Sequence, residues 1–138
     1  KLNDYPNALS SLMHAEVEYP NDHWIQFSIG RCYYMFATQE VNLVLDEMLK
    51  EGHDWLKFHN DSDTWWWEEA VKYLTKSMGL NADYPYGYWL RGKCLQALGK
   101  TREADEDFSM AIRLKPDQVE FYKDWDDNIE LFGDENIS

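Results

Sequence analysis

Cysteine, proline and positive charge are scarce in this 138-residue sequence. It has 2 Cys and 4 Pro, and 26 Asp and Glu outnumber 13 Lys and Arg, which gives a net charge of −13. Two cysteines do not make a disulfide scaffold, so a cytoplasmic or otherwise intracellular setting is the default expectation. The acidity argues against general binding to nucleic acid or anionic membranes, because phosphate groups are bound by clustered Lys and Arg. It suits simple solubility and permits a basic partner.

Long apolar runs are missing as well. No stretch of the sequence approaches the roughly 20 residues that a membrane span requires, so we expect no membrane insertion. The first residues, KLNDYPNALSS, lack a basic head followed by an apolar core, and we expect no signal peptide. The sequence also starts without Met, which leaves open that it is a piece of a longer protein.

Motifs for catalysis and metal binding are absent too. The sequence has no Gly-rich phosphate loop and no Gly-x-Ser-x-Gly elbow. His53, His59 and Asp61 fit no standard metal site, and an enzyme acting through them is the outlying alternative. Cys32 and Cys94 should occupy equivalent places in adjacent helix pairs, farther apart than a disulfide allows, so we expect two separate reduced thiols. Neither has an evident base beside it, which argues against a catalytic thiolate. We therefore predict no enzyme, no catalytic residues, no metal site and no cofactor.

Aromatic residues are abundant, with 7 Trp, 9 Tyr and 6 Phe. Such large side chains are costly to expose, so they indicate either a very aromatic core or an aromatic binding surface. Trp65, Trp66 and Trp67 are consecutive, and three successive residues of a helix span about 200° of arc. At least one of these indoles should therefore meet an inserted segment, a groove or a partner.

The stretch from Trp89 to Pro116 predicts two amphipathic helices joined by a tight turn at residues 98–100. Pro116 should stop the second helix, because it has no N–H and clashes with the preceding turn. A helix pair of this kind cannot bury its apolar face alone and should belong to a stack. Small residues stand where the two helices would approach closely: Gly92, Ala104 and Ala111.

Both helices of this stretch recur earlier in the chain. The second helix has two earlier copies, and the first helix has one, in which Gly30 corresponds to Gly92. The step from Gly30 to Gly92 equals the step from Ala8 to Ala70, so both halves of the unit recur in the same register. The matching sets of the second helix are Ala104, Phe108, Ala111 and Pro116; Ala70, Leu74, Ser77 and Ala82; and Ala8, Leu12, Ala15 and Pro20.

These recurrences divide a single domain, residues 1–138, into four parts. We predict a half repeat at 1–22, a repeat at 23–84 that is interrupted by a helical insertion at about 38–64, a complete repeat at 85–118, and a capping helix with a tail at 119–138.

A period of about 34 residues with helix–turn–helix character resembles the tetratricopeptide repeat (TPR) family. Arg91 departs from the family pattern, which usually has leucine there. The resemblance implies an all-α, right-handed TPR-like superhelix of antiparallel helix pairs, in which the first helix of each pair lines a concave groove. Family members mostly bind peptides or proteins and rarely catalyse reactions. The residues that fit the pattern in the complete repeat are Tyr88, Gly92, Leu95, Gly99, Ala104, Phe108, Ala111 and Pro116.

The resemblance also predicts which side chains face the groove. Aromatic residues would form its floor, and Arg31 and Lys93 would cross it to fix a carboxylate or a carbonyl group. Alternatively, the aromatic side chains pack against neighbouring helices or the insertion. The predicted groove residues are Trp24, Phe27, Arg31, Tyr34, Tyr86, Trp89, Lys93 and Gln96.

We therefore predict a protein–protein interaction module or scaffold that binds a peptide or helix of a partner protein in an aromatic groove. The alternative is a structural segment of a larger protein, with the groove filled intramolecularly. The half repeat at the N-terminus would leave an open face, through which the protein could also associate with itself. An open groove at Trp24, Phe27 and Trp89 would favour binding of a separate partner, and a covered one would favour the alternative.

Overall fold

The computed structural model describes residues 5–38 and 64–116, together with residues 50 and 52. Nearly all of this part is helical and none of it is a strand, which confirms the predicted all-α class. The predicted insertion and capping helix fall almost wholly outside the described residues. The described helices are α1 (Tyr5–Glu18), α2 (His23–Ala37), α3 (Trp65–Leu80), α4 (Pro85–Ala97) and α5 (Thr101–Leu114).

The turn between α4 and α5 lies where the sequence predicts it. Gly99 has a φ of 82°, a left-handed conformation in which a side chain would be strained. Its N–H donates to the Gln96 carbonyl at 3.0 Å, and the Lys100 N–H donates to the Leu95 carbonyl at 2.9 Å. These two bonds satisfy carbonyl groups that the end of α4 would otherwise leave unpaired.

Two helix pairs are packed by the same contact. α2 packs on α3, and α4 packs on α5. A Cβ atom added to Gly30 would lie 2.8 Å from Leu74 Cγ, and one added to Gly92 would lie 2.6 Å from Phe108 Cε1. In each pair, glycine therefore lets the first helix approach a large side chain of the second. The recurring residue sets of the sequence mark this repeated contact.

Further contacts join the pairs into one stack. α1 packs on α2, and α3 packs on α4. The side chain of Gln26 is fully buried, and its amide nitrogen donates to Glu16 Oε2 and to the Pro20 carbonyl, each at 3.0 Å. Both acceptors belong to α1 or to the turn after it, so Gln26 attaches α1 to α2. The main buried cluster draws its side chains from four helices: Leu9, Phe27, Ile29, Cys32, Tyr33, Tyr34, Phe36, Trp66, Ala70, Leu74, Leu90 and Cys94.

The three consecutive tryptophans surround one side of α2. Trp66 is buried, with its ring centroid 5.3 Å from that of Phe36. Trp65 lies edge-on to Tyr33 at 5.6 Å, and Trp67 contacts Tyr34 at 5.9 Å. Trp65 and Trp67 both remain partly exposed. Only the middle indole is therefore a full member of the core, and the outer two border it.

Candidate protein-binding surface

The predicted groove residues divide into buried and accessible groups. Four are buried: the exposed fractions are 0% for Phe27, 3% for Arg31, 5% for Tyr34 and 9% for Trp89. A partner can reach only the accessible group, in which Gln96 is exposed and three side chains are half-buried, namely Trp24, Tyr86 and Lys93.

The two central aromatic residues of the predicted groove are covered in part by neighbouring rings of the protein itself. The Phe27 ring lies edge-on to Tyr84, with centroids 5.1 Å apart, and 5.5 Å from Trp24. The Trp89 ring lies 4.8 Å from Phe108, which faces it from α5. Both side chains therefore contribute to helix packing, whatever else they contact.

Three half-buried rings form a continuous surface above Phe27. The Tyr84 ring lies 6.2 Å from that of Trp24 and 5.4 Å from that of Tyr86, and both contacts are edge-to-face. We call Trp24, Tyr84 and Tyr86 the aromatic edge. Trp24 comes from the first turn of α2, and Tyr84 and Tyr86 come from the start of α4. The surface therefore lies where the first helices of two successive pairs meet.

The start of α2 is fixed by its cap. Asp22 Oδ1 accepts hydrogen bonds from the backbone N–H groups of Trp24 at 2.9 Å and Ile25 at 3.1 Å. Such a side-chain cap satisfies donors that the first turn leaves unpaired. Asp22 thus sets the direction in which Trp24 leaves the helix.

The start of α4 is fixed separately. Pro85 occupies its first turn, where a preset φ favours the helix and the missing N–H costs nothing. The Asn81 side-chain oxygen accepts from the Asp83 N–H at 3.1 Å and shapes the preceding turn. His23 links the two starts, because its ring lies edge-on to Tyr84 at 5.3 Å. Its carbonyl also accepts from Ser77 Oγ of α3 at 3.0 Å.

The aromatic edge consists of one indole ring and two phenol rings. Burial raises the pKa of Tyr86, so its phenol remains protonated. Flat rings with polar hydroxyl groups present a large apolar area together with hydrogen-bonding atoms. Lys93 supplies a cation two turns further along α4. The surface can therefore accept an apolar or aromatic side chain, with a charged group nearby.

The sequence did not predict Tyr84 as a residue of the binding surface. Tyr84 directly precedes α4, and the residue at the equivalent position before α2 is Asp22, which is not aromatic. The signal available was the local run YPYGYW at residues 84–89, whose aromatic density exceeds what one helix face can bury. Tyr84 contacts Trp24, Phe27 and Tyr86, and this makes it the centre of the surface.

A second concave feature lies between α3, α4 and α5, with a volume of about 370 Å³. Arg91 is its central side chain. Its Nε and Nη2 atoms donate to the two carboxylate oxygens of Asp107 at 2.6 and 2.8 Å, and Nη1 donates to Thr75 Oγ1 at 3.1 Å. The Asp107 hydrogen bond raises the pKa of Arg91. The guanidinium group is therefore engaged in joining three helices.

Other sequence-based expectations bear on the described residues only in part. In the described ranges no group of three His, Cys, Asp or Glu side chains could hold a metal ion. His53, His59 and Asp61 lie outside those ranges. Cys32 and Cys94 are buried free thiols, and burial raises the pKa of Cys32 to about 12. None of the described helices is long and apolar enough to cross a membrane.

Comparison with known proteins finds no family model and no curated protein that matches this sequence. The resemblance to the tetratricopeptide family therefore rests on the recurring residue sets of the sequence.

Proposed function

We propose that this chain is a protein–protein interaction module built as a TPR-like superhelix, and that it binds a helix or peptide segment of a partner at the aromatic edge. The observation that carries the proposal is the arrangement of Trp24, Tyr84 and Tyr86 as half-buried rings over the fully buried Phe27. Partly exposed aromatic side chains on rigid helix starts are typical of binding hot spots, because little conformational entropy is lost when they are covered.

The layout of α4 suggests what the partner carries. Tyr86 and Lys93 are separated by two helical turns, or about 10 Å along one face. A segment that places an apolar or aromatic anchor against the aromatic edge would have its next turns near Lys93 and Gln96. A carboxylate or carbonyl at that distance would complement the Lys93 ammonium group. The preferred ligand is therefore an amphipathic segment with an apolar anchor and an acceptor two helical turns away.

The burial of Phe27, Arg31, Tyr34 and Trp89 favours a second candidate, a structural segment of a larger protein whose first-helix faces are filled intramolecularly. In that case the aromatic edge is the remaining visible part of a packed surface. The two candidates differ in whether Trp24 and Tyr86 contribute to affinity for a separate molecule or only to the stability of this one.

The test is selection of a displayed random-peptide library on the wild-type protein, followed by titration of the enriched peptides against variants. The Trp24→Ala/Tyr86→Ala double variant removes two rings of the aromatic edge. Tyr19→Ala is the matched control, because Tyr19 is 61% exposed and lies in the turn after α1. Circular dichroism and thermal melting establish that each variant is folded before its affinity is compared.

We expect peptides with an apolar or aromatic anchor, whose affinity falls at least tenfold on the double variant and is unchanged on Tyr19→Ala. A tenfold loss corresponds to about 1.4 kcal/mol, which is within the range for truncating hot-spot residues. Lys93→Ala should weaken only those peptides that carry an acceptor beyond the anchor. No enrichment, or equal affinity for wild type and a folded double variant, would reject the interaction surface and favour the structural candidate.

A further inference from the structure

The cavity of about 370 Å³ between α3, α4 and α5 combines an apolar wall with charged groups. Val71 of α3 and Leu95 of α4 form the apolar wall, and their side chains are half-buried and 8% exposed, respectively. The volume is near the lower end of the range for small-ligand sites, roughly 300–1,000 Å³. The cavity therefore has room for one long side chain of a partner, but not for a helix about 10 Å in diameter.

Carboxylates outnumber cations in the lining of this cavity. Glu103, Glu106 and Asp107 line it together with Arg91 and Lys100, which gives the lining a net charge of −1. Asp107 neutralises Arg91, because both of its carboxylate oxygens accept from that guanidinium group. Glu103 and Glu106 lie three residues apart on one side of α5, and neither forms an ion pair within the described ranges. The cavity is therefore complementary to a cation.

Arg91 adds a place for a hydrogen-bond acceptor. A guanidinium group has five N–H donors, and three of those of Arg91 bond to Asp107 and Thr75. Each Nη atom keeps a second N–H group, for which the part of the chain that the structure describes supplies no acceptor. A neutral carbonyl group of a ligand can accept from these N–H groups, whereas a carboxylate would be repelled by the excess negative charge of the lining.

We propose that this cavity binds an arginine side chain of a partner segment, with the ligand's guanidinium group at Glu103 and Glu106 and a backbone carbonyl of the ligand at Arg91. A guanidinium group suits two neighbouring carboxylates, because its five N–H groups form a rigid, planar fork. The aliphatic stem of the ligand would pack on Val71 and Leu95. None of the lining residues belongs to the aromatic edge, so the two surfaces can be tested independently.

The test is an NMR titration of the isotope-labelled protein with three probes. Acetyl-Ala-Arg-Ala-amide supplies the cation and the carbonyl groups, its citrulline counterpart replaces the guanidinium group by a neutral urea group, and n-butylguanidinium supplies the cation without a backbone. Glu103→Gln/Glu106→Gln removes both carboxylates, and Val71→Phe fills part of the cavity without a change of charge. Glu18→Gln/Asp105→Asn is the matched control, because it removes two exposed carboxylates that do not line the cavity. The amide spectrum of each variant establishes that it is folded.

We expect the arginine peptide to cause saturable shifts of the amide signals of Val71, Thr75 and Leu95, and the other two probes to bind at least fivefold more weakly. The carboxylate variant and Val71→Phe should each lower the affinity for the arginine peptide at least fivefold, and the control should change it less than twofold. No saturation at about 10 mM peptide, ten times a dissociation constant of about 1 mM, overturns the proposal.

Three other results would overturn it as well. The first is equal binding of the arginine peptide and either of the other probes, because the cavity would then not recognise the guanidinium group together with the backbone. The second is a control that loses as much affinity as the carboxylate variant, because the attraction would then come from the overall negative charge. The third is a set of shifts confined to Trp24, Tyr84 and Tyr86, because the peptide would then bind at the aromatic edge.

Discussion

At the scale of single residues, Arg91 shows how a polar contact joins three helices of this chain. Its side chain is 23% exposed. The partner, Asp107, is nearly buried at 7% of its side chain, so its charge has lost most of its hydration. The two hydrogen bonds between the guanidinium and carboxylate groups offset that cost. A further hydrogen bond from Arg91 to Thr75 connects this pair to α3.

Replacing Arg91 by leucine should therefore destabilise the protein. Arg91→Leu leaves the Asp107 carboxylate buried and unpaired, and we expect a loss of about 3 kcal/mol in the free energy of unfolding, near the lower end of the range for breaking buried pairs. Urea unfolding monitored by tryptophan fluorescence measures it. The Arg91→Leu/Asp107→Leu double variant should recover most of the loss, because no buried charge remains. Arg102→Leu, at an exposed arginine of α5, is the control and should change stability by less than about 0.5 kcal/mol. A double variant as unstable as the single one would contradict the account.

At the scale of helices, the sequence predicts where helices begin and end better than which of their faces other elements cover. The helix expected to begin near Trp65 begins there, and the α4–α5 turn lies at the predicted residues. Gly92 was expected at a close approach of two helices, and it meets Phe108. For Trp89, one turn earlier on the same helix, the sequence leaves open whether it lines a groove or packs against a neighbouring helix, and its side chain is 9% exposed. Periodicity identifies which side chains share a face, but whether another element covers that face depends on contacts between segments distant in sequence.

The close approach at Gly92 gives a prediction for the α4–α5 pair. Gly92→Ala would place a Cβ atom 2.6 Å from Phe108 Cε1, and the rigid ring must shift to admit it. The resulting strain, roughly 1–3 kcal/mol, should exceed the gain in helix propensity of about 1 kcal/mol, so the variant should be less stable than wild type. Gly79→Ala is the matched control, since it also lies in a helix but has no atom within 4 Å of the added Cβ.

Thermal melting distinguishes the two glycines. Gly79→Ala should raise the melting temperature by a degree or more, since only the propensity gain of about 0.5 kcal/mol applies near a helix end. Gly92→Ala should lower it. If both substitutions raised the melting temperature, α4 and α5 could separate at little cost. The similar geometry of the Gly92–Phe108 and Gly30–Leu74 contacts would then not indicate a similar contribution to stability.

At the scale of the whole molecule, the helices form a chain of neighbours rather than one central layer. α2 and α3 share the most buried part, around Phe27, Tyr33, Trp66 and Leu74, and each also packs on a further helix. α1 packs on α2 and is attached through Gln26. In such a stack, stability is approximately the sum of each unit and its contacts with its neighbours. Among the described helices α1 packs mainly on α2, so α1 should open at a lower free energy than α2 and α3.

Two leucines at the same repeat position test this difference. Leu74→Ala removes a fully buried side chain between α2 and α3, and we expect a loss of about 3 kcal/mol in global stability, with faster hydrogen exchange throughout α2, α3 and α4. Leu12→Ala removes a partly exposed side chain, so the loss should be about 1 kcal/mol or less, with faster exchange confined to α1. Native-state hydrogen exchange read by mass spectrometry resolves the two patterns. If Leu12→Ala accelerated exchange in α3 as strongly as Leu74→Ala does, the helices would unfold as one unit, and α1 would be an integral part of the core.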